Sequence, residues 1–276
     1  SIPQLNSESN LFQPVEIQTS FIGNNDNNFD DGEYLFFYLQ SPDKLLYDTI
    51  NNLMTSKKNI YTDTSYYLLT YNSIENQSSI NNDKTTKYDS ISSHGNYFYH
   101  YENDRFSIIQ SGREWFGKIF SSGESQNIDL FEIKDDSQID LEISLVSRST
   151  VESSFDLFYN EQIISSIDMD LIKEKIYGEK YKRRLEKYSF KGKNNSNSIT
   201  LRYNGLGSAI SYLDYIKLNT IIPLTYEKNQ IKFYVKPGQK SKNIRYNISS
   251  SEDVKVLDVT DPYSINEHEV TKVDES

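Results

Sequence analysis

Between Gln138 and Leu145 the sequence QIDLEISL alternates without a break, with Ile139, Leu141, Ile143 and Leu145 on one side and Asp140, Glu142 and Ser144 on the other. Period two is the repeat of a pleated strand, whose successive side chains point to opposite faces. A helix turning about 100° per residue would scatter the four aliphatic side chains around its circumference. The segment therefore reads as a strand with one face on a core and one toward solvent, the arrangement of an antiparallel sheet.

Other segments extend the pattern. Phe155-Leu157-Tyr159 and Gln162 to Ile167 read as a hairpin about Asn160-Glu161. Glutamate at the second turn position lacks the glycine that a type I′ turn prefers, which leaves a two-residue turn and a longer loop both open. Ile199-Leu201-Tyr203, Tyr212 to Leu218, Gln230 to Val235 and Val254 to Val259 are further strand candidates. Three aromatic runs, Tyr34 to Leu39, Tyr66 to Tyr71 and Tyr97 to Tyr101, are short, bounded by turn-forming residues and apolar on both faces, which suits buried strands. Polar stretches such as Asn72 to Ser93 read as surface loops. Met169 to Tyr188 combines helix formers with acidic residues early and basic residues late, and is the one plausible helix. Gly178 interrupts it at about 1 kcal/mol relative to alanine, so a charged connection with a single helical turn is an equal reading.

Many short strands with no strand–helix alternation predict an all-β fold of antiparallel β-sandwich or jelly-roll-like blocks with at most one short helix. The expected divisions are an N-terminal extension (1–20), a first β block (21–125), a β-sandwich block (126–222), a small β segment (223–265) and an acidic tail (266–276), with ordered pattern ending at Pro262.

Composition excludes several chemistries. The 276 residues hold 22 Tyr and 14 Phe, enough to build a core, but no cysteine. There is thus no disulfide framework, no thiolate nucleophile and no cysteine-ligated metal. A formal charge of −11 disfavours phosphate backbones, which bind through lysine and arginine, so no nucleic-acid partner is expected. The longest apolar run has six residues, Tyr34 to Leu39, far short of the roughly 20 that span a bilayer. Ser1-Ile2-Pro3-Gln4 has neither the basic nor the apolar region of a signal peptide. A soluble chain is expected.

Candidate sites are few. His94, His100 and His268 are the only histidines, and His100, between Tyr99 and Tyr101, reads as structural. No P-loop, G-x-G-x-x-G or G-x-S-x-G occurs. Asp26, Asn28 and Asp30 occupy alternate positions, as oxygen ligands for Ca2+ would. An EF-hand count from Asp26 nevertheless puts Asp31 at the glycine position and Phe37 at the bidentate glutamate, so a solvated turn before a strand is preferred. Ser111 to Phe120 holds the only tryptophan, Trp115, beside Arg113 and Glu114. Arg113 and Trp115 could form a stacking platform for a sugar or a peptide. The preferred reading is a buried Trp115 with Arg113 paired to a carboxylate.

The same segment carries a resemblance. FYHYENDRFSIIQSGREWFGKIF (Phe98 to Phe120) resembles the region upstream of the catalytic domain in gingipain-like cysteine peptidases, and most nearly the PorU-type sortases of the type IX secretion system. GEYLFFYLQSPDK (Gly32 to Lys44), NIYTDTSYYLLT (Asn59 to Thr70), YLDYIKLNTIIPL (Tyr212 to Leu224) and VKVLDVTDPYSI (Val254 to Ile265) resemble further family stretches in the same order. Departures are Ser41 for a glycine, and Leu45 and Leu257 for tryptophans. The resemblance implies a non-catalytic, β-rich N-terminal region. Its partners would be a following catalytic domain, outer-membrane secretion components and cargo proteins, and the parent protein would be exported to the surface of a Bacteroidetes-type bacterium. It implies a piece of a longer protein, trimmed of its leader. The family's nucleophilic cysteine has no counterpart here, so no catalytic residue carries over. A reading of another class is an independent adhesion or carbohydrate-binding module that uses Trp115, and a hydrolase built on acidic pairs has the least support.

Overall fold

A computed structural model of the chain describes residues 3–5, 12–24, 26, 28–69, 79–83, 87–110, 112, 114–173, 178–193, 197–226, 230–239 and 242–273. These residues form sheets that are antiparallel apart from two short parallel pairings and, besides strands, a single short 3-10 turn at Pro237–Gln239. The all-β expectation holds. The chain divides into two compact units whose segments interleave: Leu45–Ser56 with Ser90–Ser249, and Ser1–Lys44 with Lys57–Asp89 and Ser250–Ser276.

The first of these units is a β-sandwich. The strands of its two main sheets are β1 (His94–Glu102), β2 (Ile119–Phe120), β3 (Ser125–Asp129), β4 (Gln138–Ser147), β5 (Ser153–Tyr159), β6 (Gln162–Asp168), β7 (Lys182–Lys191), β8 (Ser198–Gly205) and β9 (Ser211–Pro223). One sheet has the order β7-β4-β9, with β1 and β2 sharing the far edge of β9; the other has the order β3-β8-β5-β6. From β3 onward the chain repeatedly changes sheets, as in a jelly roll, so residues distant in sequence meet across one core.

That core is the one the alternation predicts. Ile139, Ile143 and Leu145 are wholly buried and Leu141 nearly so, against Phe155, Leu157, Leu201 and Tyr203 of the opposing sheet. Burial of each such aliphatic side chain contributes about 1.5–3 kcal/mol. Phe120 and Phe155 meet edge to face with ring centres 5.0 Å apart, and Phe155 lies 4.8 Å from Tyr203.

A bulge between β4 and β9 shapes the outer face. Ser144 lies opposite Tyr215 but Leu145 lies opposite Leu213, which leaves Asp214 as an extra residue. Ile216 and Leu218 face the core on one side of it and Leu213 on the other, so the inward parity switches there. Ser144 and Asp214 come together on the outer face, both buried.

Several sequence expectations are corrected. The helix over Met169 to Tyr188 is absent from the described residues: Lys182–Lys191 is a strand paired along its whole length with β4. Tyr188 and Phe190 supply its inward face, and Lys187 meets Glu142 directly opposite at 3.0 Å, so its charges serve cross-strand pairing. Residues 174–177 lie outside the described residues. The β5–β6 loop has only two residues, because Tyr159 pairs with Gln162 while Asn160 and Glu161 both take positive φ, 46° and 65°. Gln230 to Val235 forms no strand; it offers one bridge, between Tyr234 and Asn96. Of the aromatic runs, Tyr97 to Tyr101 lies in β1, whereas Tyr66 to Leu69 is not strand and is mostly exposed.

The second unit pairs Thr19–Ile22 with Tyr34–Phe37 antiparallel. It also pairs Pro3–Leu5 with Phe12–Pro14 antiparallel, and a three-stranded sheet joins Val256–Asp258 to Asn266–His268, and Asn266–His268 to Asn81–Asp83 in parallel. Order therefore continues past Pro262, and part of the stretch from Asn72 to Ser93 is strand. Buried Gln18 accepts a hydrogen bond from the Ile265 N–H at 2.5 Å, and Ile80 and Ile265 are this unit's buried aliphatic residues among those described. The run from Tyr34 to Leu39 forms the expected strand but not a buried one, since Tyr34, Leu35 and Phe37 are exposed.

Candidate functional site

Within the sandwich unit, the outer face of the larger sheet carries a polar cluster toward each end of β9. At the C-terminal end, the segment Leu45–Ser56 folds back as a hairpin over the sheet. Asn219, an outward position on β9, holds it there: its side-chain oxygen accepts the Met54 N–H at 2.9 Å and its NH2 donates to the Met54 carbonyl at 3.0 Å. The Tyr234 hydroxyl donates to the same Asn219 oxygen at 3.1 Å. Lys217 donates to the Ser56 carbonyl at 3.2 Å, and the Ser56 hydroxyl lies 3.1 Å from His100 Nδ1. His100 Nε2 is 3.3 Å from Glu102. His100 is thus held between hairpin and sheet, in keeping with its structural reading.

Beside Asn219 the hairpin and sheet line a half-open cavity of about 270 Å3, just below the ~300–1,000 Å3 of small-molecule sites. Asn51 and Asn52 come from the hairpin turn, Asn96 from β1, and Gln138 and Asp140 from the start of β4. Tyr234 and Lys236 close another side, and Leu53 and Ile221 give it an apolar wall. Asn52 adopts φ 59°, a left-handed conformation that asparagine tolerates, and its side-chain oxygen accepts a hydrogen bond from the Tyr47 hydroxyl. Asp140 Oδ1 accepts from Gln138 Nε2 at 2.7 Å and from the Ser189 hydroxyl. The Tyr234 hydroxyl is pushed up to about 12, chiefly by burial, with Tyr47 and Asp140 adding to the effect. It remains a neutral donor at any physiological pH.

The opposite end of β9 holds the segment with the lone tryptophan. Phe116 and Phe106 exchange backbone hydrogen bonds at 2.8 and 2.9 Å. Gly117 threads between two carbonyls; an added Cβ would come within 3.0 Å of the Asn103 oxygen and 3.1 Å of the Leu213 oxygen. Phe116 is buried with Val146 and Tyr212. Trp115 departs from the buried reading: it is 43% exposed, and its ring N–H donates to the Gly112 carbonyl at 3.3 Å. Arg113 lies outside the described residues.

The carboxylate partner there is Arg183, on β7. It lies 3.6 Å from Glu114 and 3.5 Å from Asp214, with its guanidinium 5.9 Å from the Phe116 ring centre. Asp214 also accepts from the Ser144 hydroxyl at 2.7 Å. Burial pushes the Asp214 carboxyl up, although the Ser144 bond and Arg183 pull the other way. The Tyr181 hydroxyl donates to Glu114 and is pushed up to about 12 by burial and by that carboxylate. Every charge in this network has a partner, and the cluster fastens Glu114–Phe116 to the sheet.

In the second unit, Asp26, Asn28 and Asp30 lie in an exposed turn before the strand at Tyr34. The Asp26 side chain accepts the Asn28 N–H at 3.0 Å, and Glu33 accepts the N–H groups of Asn24 and Asp30 at 2.6 and 2.8 Å. These are bonds within a turn. Among the described residues no group of three or more histidine, aspartate or glutamate side chains could hold a metal ion. No helix is long and apolar enough to cross a membrane among the same residues. The cavity residues escaped sequence reasoning because they come from five separated segments; the one available signal was Asn219, an amide within the apolar strand around Leu218 and Ile221.

No family model matches the sequence, and no curated protein matches it. Among solved structures, the chain is similar to dimeric latent PorU from Porphyromonas gingivalis, with a TM-score of 0.68 and 15% identity over 96% of this chain and 25% of that one. The similarity shows a shared fold, and the chain spans about one quarter of that protein's length. A family 35 carbohydrate-binding module from Clostridium thermocellum matches with a TM-score of 0.29 and 12% identity, over 46% of this chain and 98% of that one. A likeness that low carries no argument.

Proposed function

We propose that this chain is a non-catalytic, β-rich accessory region of a PorU-like cysteine peptidase or sortase of the type IX secretion system, supporting a catalytic domain and docking secretion partners or cargo. The observation that carries the reading is the fold shared with PorU over nearly all of this chain, at one quarter of that protein's length. The absence of cysteine agrees with a region that leaves thiolate chemistry to another domain. An exported, cell-surface location belongs to the same proposal.

The second unit offers a surface for such contacts. In its hairpin, Phe21 lies opposite Leu35, and Phe37 follows two residues on, so the three share one face. Each is more than a third exposed, and the exposed Phe29 ring lies 6.2 Å from Phe21. Contiguous exposed apolar side chains of this kind mark sites of protein contact. The occupant proposed is the catalytic domain encoded with the chain. The test is binding of the purified chain to that domain, with and without Leu35→Asp and Phe37→Asp together. The expected result is measurable affinity that falls about tenfold or more in the variant, with Tm unchanged. Equal binding by both proteins would remove this face from the account.

A further inference from the structure

The cavity beside Asn219 has a composition that selects among ligands. Its polar wall is made largely of carboxamides, from Asn51, Asn52, Asn96 and Gln138, and each carboxamide offers both donors and an acceptor. A hydroxyl group has the same dual character. The two charged groups in the wall, Asp140 and Lys236, are of opposite sign, so a ligand carrying net charge would satisfy one and face the other. Both retain capacity for a ligand. Among the described residues the Lys236 ammonium makes no hydrogen bond or ion pair, and Asp140 receives its side-chain hydrogen bonds, from Gln138 and Ser189, on Oδ1 alone. Leu53, Ile221 and the Tyr234 ring give an apolar wall of the sort that takes the C–H face of a ring.

The walls are also held in place. Asn219 bonds three ways to the hairpin and to Tyr234, Asn96 Nδ2 donates to the Tyr234 carbonyl at 3.1 Å, and Thr220 donates to the Gln138 carbonyl at 3.1 Å. A wall fixed before binding loses little conformational entropy on taking up a ligand.

We propose that this cavity is a binding site for a neutral, hydroxyl-rich ligand, and that a pyranose sugar is the class that fits its volume and its amide-rich wall. The site is separate from Trp115, which lies toward the other end of β9, and it does not depend on the PorU-like reading. Asp140 accepts from ligand hydroxyls, Lys236 and the amide NH2 groups donate to ligand oxygens, and Leu53 and Ile221 cover the ring.

The test is saturation-transfer NMR on the full chain with the methyl pyranosides of glucose, galactose, mannose and N-acetylglucosamine, with glycylglycine as a zwitterionic comparison. Saturation of at least one pyranoside with a millimolar Kd is expected, weakened about tenfold by Asp140→Asn and by Lys236→Gln. Both variants should keep the wild-type Tm, because neither removes a backbone-holding bond. The proposal is overturned if no pyranoside is saturated, or if binding survives both substitutions. It is equally overturned if glycylglycine is bound in their place and lost with the same variants, which would make this a peptide site.

Discussion

Glu161 occupies the second position of the β5–β6 turn at φ 65°, a left-handed conformation that glycine adopts freely and a glutamate adopts at a cost. The turn survives because β5 and β6 pair on both sides of it and β5 is anchored in the core. Glu161→Gly should therefore stabilise the protein by about 0.5–1 kcal/mol, read as a higher urea midpoint with an unchanged m-value. A destabilised variant would show that the Glu161 side chain makes a contribution greater than its backbone strain. The loop length could not be read from sequence because a local preference for glycine was outweighed by the register of two long strands.

Asp214 makes a second residue-scale case. Its carboxyl is raised in the folded state by burial, so the folded protein binds this proton more tightly than the unfolded chain. Stability linked to it is greatest below the ordinary value of 3.8 and declines as pH rises through the raised folded value. Asp214→Asn keeps a side-chain acceptor for Ser144 and removes the titration. Denaturant midpoints measured across that acidic window should lose their downward slope in the variant, and an unchanged slope would assign the effect to other groups. Sequence alone could place Asp214 in a strand but not on a bulge, since the extra residue is visible only once β4 and β9 are paired.

Among elements, β4 was legible at once, because four alternating aliphatic residues admit one arrangement, whereas β7 was not. KRRLEKYSFK has only Tyr188 and Phe190 as large inward apolar groups, and its charge order imitates a helix. What makes it a strand is ten residues of pairing with β4 and charge partners such as Glu142 and Asp214, none of them local. Ile143→Asp should unfold the sandwich unit by placing an unpaired carboxylate in the core, a change of about 4 kcal/mol or more. Loss of near-ultraviolet circular dichroism at room temperature would register it, and a variant that melts like the wild type would mean that the inward face is misassigned.

For the whole molecule, the sequence-level resemblance and the shared fold point the same way, while the interleaving of the two units lay beyond sequence reasoning. Segments such as Leu45–Ser56 join the sandwich unit through side-chain bonds to Asn219 and Lys217, which no periodicity announces. Tyr181 and Tyr234 are both pushed up to about 12, so the folded chain holds those protons above the ordinary phenol value of 10.0. Their contribution to stability is therefore lost as pH climbs from about 10 toward 12. Absorbance titration should show tyrosinate formation delayed past 10 and then completed together with unfolding; two tyrosines titrating early would contradict their burial. Sequencing the gene downstream of the Ser276 codon decides whether this chain is the accessory region of a PorU-like protein. An open frame continuing into a domain that carries a histidine and cysteine pair is expected; a stop codon directly after Ser276 would overturn the accessory-region reading.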